Sequence, residues 1–172
     1  KEAYAKAEEL KKRKIPVLAG IDFTDAPDWY LKEKKAKAKD EKAGDKKEES
    51  TEPKKELTEE EQNYREKQLA AWKAEVTNIK KLMDAGVQVG YASAGIKLKD
   101  FPKKLEILLD EGGLSEREAV QIMSANTAAI LGMSSTLGSL QKGKNASFSV
   151  FDKPISEKKP KVLYSISNGV VN

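Results

Sequence analysis

Cysteine and histidine are both absent from the 172 residues of this chain. Without cysteine there is no disulfide and no thiolate metal site. Without histidine the chain lacks the commonest metal ligand and the one side chain whose unperturbed pKa lies near neutrality. A zinc or iron site made by this chain alone would need carboxylates only, which those metals seldom use by themselves. Nor does any apolar run approach the roughly 18 to 20 residues that span a bilayer, so no membrane contact is expected. Glycine-rich phosphate loops are missing too, because Gly112-Gly113 and Gly86…Gly90 lack the required spacing. No signal peptide is visible. The chain opens at Lys1, inside a helical pattern, so its true start is expected upstream and its compartment is undetermined.

Charge is what the chain has in excess. Charged residues make up 35% against 38% apolar, where about a quarter charged is usual for a compact domain. The excess is concentrated in residues 32–61, about two-thirds charged, with Leu57 almost the only large apolar residue. Positive and negative charges nearly balance there, whereas a nucleic-acid tail would be one-sided, so nucleic acid is not expected as a partner. Such a segment cannot bury enough apolar surface to offset the entropy of ordering. It is expected to be a disordered surface insertion.

Around the insertion, periodicity alternates between helix and strand. Ala3, Tyr4, Ala7 and Leu10 mark one face of a helix over residues 1–14. Ile15 to Phe23 is a nearly continuous apolar run, as in a strand buried on both faces of a parallel sheet. Thr58 with Glu61 three positions later forms a capping box. Leu69, Trp72, Val76, Ile79 and Met83 then give one long helix ending near Gly86. Val87 to Tyr91 reads as a second short strand. A helix follows over Phe101 to Asp110, with Pro102 in its first turn. Ser115 and Glu118 form a second capping box, opening a helix that includes Ala119, Ile122, Met123, Ile130 and Leu131 among its buried positions. The end of the chain alternates as strands around Phe148 and Tyr164, and Asn168-Gly169 is a two-residue hairpin turn.

Three polar residues stand where a parallel sheet carries its chemistry, at the C-terminal ends of the strands. They are Asp22 and Asp25 after the first strand and Ser93 after the second, and they are the candidates for a pocket mouth. The plainer reading of the first group is a polar loop, with Thr24 or Asp25 capping the next turn. Ser93 makes a poor nucleophile, since the chain has no histidine and no G-x-S-x-G turn.

From residue 85 onward the motifs fall in a recognisable order. Ala85-Gly86-Val87 leads the second strand. Gly113-Leu114-Ser115 with Glu118-Ala119-Val120 opens a helix, and Ser124-Ala125-Asn126-Thr127-Ala128 with Leu131-Gly132 closes one. Leu137-Gly138-Ser139-Leu140 and Gly143-Lys144-Asn145-Ala146-Ser147 with Phe151-Asp152 follow, and Asn168-Gly169-Val170-Val171 ends the series. This chained order resembles the C-terminal part of the amidohydrolase superfamily, especially its imidazolonepropionase-like branch.

The resemblance implies an α/β fold: the last two strands and helices of a (β/α)8 TIM-like barrel, plus strands of a small β-sandwich domain. Residues 1–31 would be a barrel helix and strand, 32–61 the charged insertion, 62–136 the last helix, strand and helices of the barrel, and 137–172 the β-domain. It implies a hydrolase acting on C–N, non-peptide bonds, in which a divalent metal such as zinc activates water. The metal ligands would lie on strands outside this chain, so the expected partner is the upstream half of the same barrel, from the same or another chain; an oligomer stays open. One departure bears on catalysis. The family's eighth strand ends in Thr-Asp, and here Ser93-Ala94 stands in its place. Ala94 offers neither a base nor a ligand. The expectation is therefore a catalytically impaired or silent chain, with no metal of its own, or a non-catalytic binding or structural barrel domain of a larger polypeptide.

Overall fold

β1 (Val17–Ala19) and β2 (Val89–Tyr91) lie side by side and parallel, with Val17 opposite Val89 and Ala19 opposite Tyr91. The computed structural model describes residues 3–40, 57–93, 95–157 and 160–172. The chain divides into two compact units, Lys1–Phe23 with Glu75–Asn172 and Thr24–Ala74.

In the first unit, a 3-10 turn (Ala3–Lys6) and α1 (Ala7–Lys12) precede β1. The regular strand is shorter than the apolar run Ile15–Phe23 predicts. Only three residues pair, yet Ile21 and Phe23 beyond them are buried. The expected burial on both faces is not found: Ala19, Ile21 and Phe23 are buried on one side, whereas Ile15 and Leu18 are 44% and 43% exposed, and among the described residues no strand covers that side. α4 (Asn78–Asp84) leads into β2 and buries Ile79 and Leu82. The long helix predicted from residue 58 to 85 is therefore two helices, α3 (Glu59–Val76) and α4, parted at Thr77. After β2 come α5 (Phe101–Asp110), α6 (Glu116–Met123) and α7 (Ala125–Ile130). Leu105 and Leu108 of α5 and Ala119 and Ile122 of α6 are buried. The predicted burial of Leu131 is not found; it lies past the end of α7 and is 55% exposed.

The second capping box closes as the sequence predicts. The Glu118 N–H donates to Ser115 Oγ (3.3 Å) and the Ser115 N–H donates to Glu118 Oε2 (2.8 Å). Glu118 also meets Lys80 Nζ at 3.0 Å, and Lys80 meets Asp84 at 2.7 Å, so α6 is pinned to α4.

The chain ends in an antiparallel meander of β3 (Phe148–Phe151), β4 (Val162–Ser167) and β5 (Val170–Val171). Asn168 and Gly169 both take positive φ, 49° and 83°, as the tight hairpin turn requires. Val162, Leu163, Tyr164, Val170 and Val171 are each more than half exposed. Among the described residues this sheet has no core of its own.

The second unit is a helical pair. α2 spans Asp28–Asp40, and α3 supplies the other helix up to Ala74. Trp72 Nε1 donates to the Thr24 carbonyl (3.1 Å) and Trp29 Nε1 to Gln68 (2.9 Å). The Arg65 guanidinium lies 5.1 Å from the Trp29 ring centroid and pairs with Glu33 at 3.2 Å. Part of the stretch expected to be without structure is thus helical: α2 takes in residues 32–40 and α3 begins at Glu59. Lysine, alanine and glutamate are strong helix formers that need no buried face to favour the helix. Residues 41–56 lie outside the described residues.

Candidate functional site

The first unit presents two strand ends, and the candidates divide between them. Asp22 follows β1 and Ser93 follows β2; both are exposed. Asp25 belongs to the second unit. Ala94, where the resemblance puts the family's aspartate, lies outside the described residues.

Asp22 and the loop after β2 come together at Gly95. A Cβ added there would sit 2.7 Å from Asp22 Oδ2 and 3.3 Å from its carboxyl carbon. Gly95 also has φ +87°, which side-chain-bearing residues rarely adopt. The glycine therefore does two things: it allows the turn out of β2 and lets the carboxylate approach the backbone. Beyond Asp22, the Phe23 carbonyl accepts a hydrogen bond from Lys104 Nζ on α5 (2.6 Å), and the same ammonium lies 5.2 Å from the Phe23 ring centroid. The other wall is aromatic. Tyr91 and Phe101 meet edge to face with centroids 5.8 Å apart. Burial pushes the Tyr91 phenol above its ordinary pKa of 10.0, so it stays protonated at neutral pH.

The residues that fix β2 stand within the Ser124–Ala128 motif, which does not reveal what they bond. Thr127 Oγ1 accepts from the Tyr91 N–H (2.8 Å), and Asn126 Nδ2 donates to the Val89 carbonyl (2.9 Å). Gly90 makes this approach feasible. A Cβ on it would lie 2.9 Å from both Thr127 Oγ1 and Ile130 Cδ1 and 3.0 Å from Leu18 Cδ2. No spacing rule could have found these bonds, because each side chain meets a backbone group 36 or 37 residues away.

A metal of the kind the family uses does not fit these residues. Among the described residues no three of His, Cys, Asp or Glu gather to hold one. Asp22 is one carboxylate, well short of the three or four ligands such an ion takes. The second unit has a separate open hollow of about 310 Å³, lined by Trp29, Leu57, Glu60, Glu61, Tyr64 and Arg65. Glu61 is already engaged in the cap of α3, accepting from the Thr58 N–H at 3.0 Å. Among the described residues, no helix is long and apolar enough to cross a membrane.

Comparison with known proteins gives a consistent picture. An amidohydrolase from Thermotoga maritima MSB8 superimposes with a TM-score of 0.64 at 23% identity, covering 99% of this chain and 34% of that one. A second amidohydrolase gives 0.58 at 17% identity, covering 98% of this chain and 37% of that one. A prolidase complexed with N-methylphosphonate-L-proline gives 0.56 at 15%, with the same two shares. The chain thus spans about a third of the length of these solved structures. No curated protein matches. At these identities the structures speak for the fold alone, whereas the profile of the amidohydrolase family matches residues 30–172. Matched over that length, this chain belongs to the amidohydrolase family.

Proposed function

We propose that the chain is the C-terminal portion of a protein of the imidazolonepropionase-like branch, and that the barrel it completes is catalytically silent. On this reading β1 is the seventh strand of a (β/α)8 barrel and β2 the eighth. The meander β3–β5 belongs to a small β-sandwich domain whose remaining strands come from the upstream half. The observation that carries the reading is the parallel pairing of β1 with β2, each followed by a loop at the mouth, within a chain of this family. The exposed apolar residues of β4 and β5 support the need for further strands.

Silence follows from chemistry at the mouth. The resemblance puts the family's aspartate, which would serve as the base of a metal-assisted hydrolysis, at the end of the eighth strand. Ala94 takes that position, and a methyl group accepts no proton. The mouth keeps Asp22, Ser93 and a Tyr91–Phe101 wall, a surface suited to binding and without a base aligned as the family has it. This favours the second reading as well, a binding or structural barrel domain within a larger polypeptide.

The test is hydrolysis by the complete polypeptide, with N-acyl amino acids and cyclic amides as substrates. No turnover that depends on added zinc is expected. Turnover lost on chelation and restored by zinc would overturn the silent reading.

A further inference from the structure

The two-stranded sheet has two outer edges, and they differ. In a parallel strand, successive residues turn their backbone groups to alternate sides. Val17 N–H donates to the Gln88 carbonyl (2.9 Å), and Ala92 N–H donates to the Ala19 carbonyl (3.0 Å). Val17 and Ala19 of β1 therefore face β2, and Gln88 and Ala92 face β1. It follows that Leu18 turns its N–H and C=O to the outer side of β1. Val89 and Tyr91 turn theirs to the outer side of β2.

On the β1 side no further strand is present among the described residues. On the β2 side two of these groups are already taken. The Val89 carbonyl accepts from Asn126 Nδ2 (2.9 Å) and the Tyr91 N–H donates to Thr127 Oγ1 (2.8 Å). The Thr127 hydroxyl passes its own proton to the Ile122 carbonyl at 2.6 Å, so its orientation is fixed by α6. Gly90 leaves room for Thr127 Oγ1 and Ile130 Cδ1, each 2.9 Å from where a Cβ would sit, and α7 packs along β2.

We infer that Asn126 and Thr127 replace a neighbouring strand along the outer edge of β2, so that the barrel wall has a seam there and an incoming strand joins at β1. The inference rests on the proposed barrel. It departs from an uninterrupted ring of hydrogen-bonded strands, which would need the Tyr91 N–H for the first strand. The occupant expected at β1 is an extended parallel strand from the upstream half, with a carbonyl to receive the Leu18 N–H. At the seam no strand pairs with Val89 or Tyr91. Asn126 and Thr127 are then positioning residues: they set the height of β2 and hence of Ser93 and Gly95 at the mouth.

Amide hydrogen exchange on the complete polypeptide tests this. In Thr127→Val the Tyr91 amide loses its acceptor and should exchange at least about tenfold faster. Thr127→Ser keeps the hydroxyl and should restore protection. The Ala92 amide, bonded to Ala19, reports whether the strand pair stays folded and should be unchanged in both. If Thr127→Val leaves Tyr91 protected while Leu18 is also protected, a strand pairs with β2 and the seam is wrong. A Leu18 amide that exchanges freely in the complete polypeptide would instead overturn the barrel reading itself. If Ala92 loses protection in Thr127→Val, the comparison is made with Thr127→Ala: loss of Tyr91 protection with Ala92 unchanged supports the seam, and retained Tyr91 protection counts against it.

Discussion

The carboxylate of Asp22 and the backbone of Gly95 are in contact range, with 2.7 Å between Asp22 Oδ2 and the place a Cβ on Gly95 would occupy. Gly95→Ala must meet both that clash and a φ of +87°. The expected cost is about 1–3 kcal/mol, measured by urea unfolding. In an Asp22→Ala background the clash disappears and the strain stays. Part of the cost should therefore be recovered, giving a non-zero coupling in the double-mutant cycle.

Gly90→Ala attacks the other side of β2. The new methyl would press on Thr127 Oγ1, Ile130 Cδ1 and Leu18 Cδ2, all at 3.0 Å or less. Ile130 can turn its terminal methyl, but Thr127 is held by its bonds to Tyr91 and Ile122. Overpacking of this kind costs about 1–3 kcal/mol. A melting temperature equal to wild type would show that α7 does not sit against β2 as described.

The Ser115–Glu118–Lys80 cluster gives a pH dependence. The Ser115 N–H, then Lys80, then the Ser115 hydroxyl hold the Glu118 carboxylate down from 4.5 to about 2. A depressed folded-state pKa contributes stability above the unfolded value, and that stability is lost as pH falls through the folded one. Wild type should thus exceed Glu118→Gln in stability at pH 7, with the gap closing between about pH 4.5 and about pH 2. Thermal melts across that range read the gap. A gap of constant size would show that the carboxylate charge is not what stabilises the cap.

Trp72→Phe isolates one bond in the helical pair of the second unit. It removes the Nε1–H donated to the Thr24 carbonyl and keeps an aromatic ring beside Tyr30, whose centroid lies 5.6 Å from that of Trp72. The loss of that one hydrogen bond is expected to cost about 0.5–1.5 kcal/mol. Guanidinium unfolding followed by far-UV circular dichroism reads it.

Local features are legible in the sequence and long-range ones are not. Thr58 with Glu61, Ser115 with Glu118, and Asn168-Gly169 each complete their structure within four residues, so their spacing suffices. The break at Ser124 is hidden. The apolar pattern runs through it, yet Ser124 Oγ donates back to the Val120 carbonyl (2.6 Å), a bond that bends helices. Helix α2 is hidden for a different reason: its signal is propensity alone, with hardly any apolar periodicity. At the site, the pattern places Asp22 and Ser93 at strand ends. Gly95 as the seat of the Asp22 carboxylate, and Asn126 and Thr127 as the brace of β2, depend on contacts across the fold.

The central claim is that this chain brings neither metal ligands nor a base to its barrel. Elemental analysis of the purified 172-residue chain, dialysed against zinc and then against metal-free buffer, tests that claim directly. With no histidine or cysteine and no carboxylate cluster among the described residues, zinc far below one per chain is the predicted result. About one tightly held zinc per chain, with coordination that survives dialysis, would contradict it.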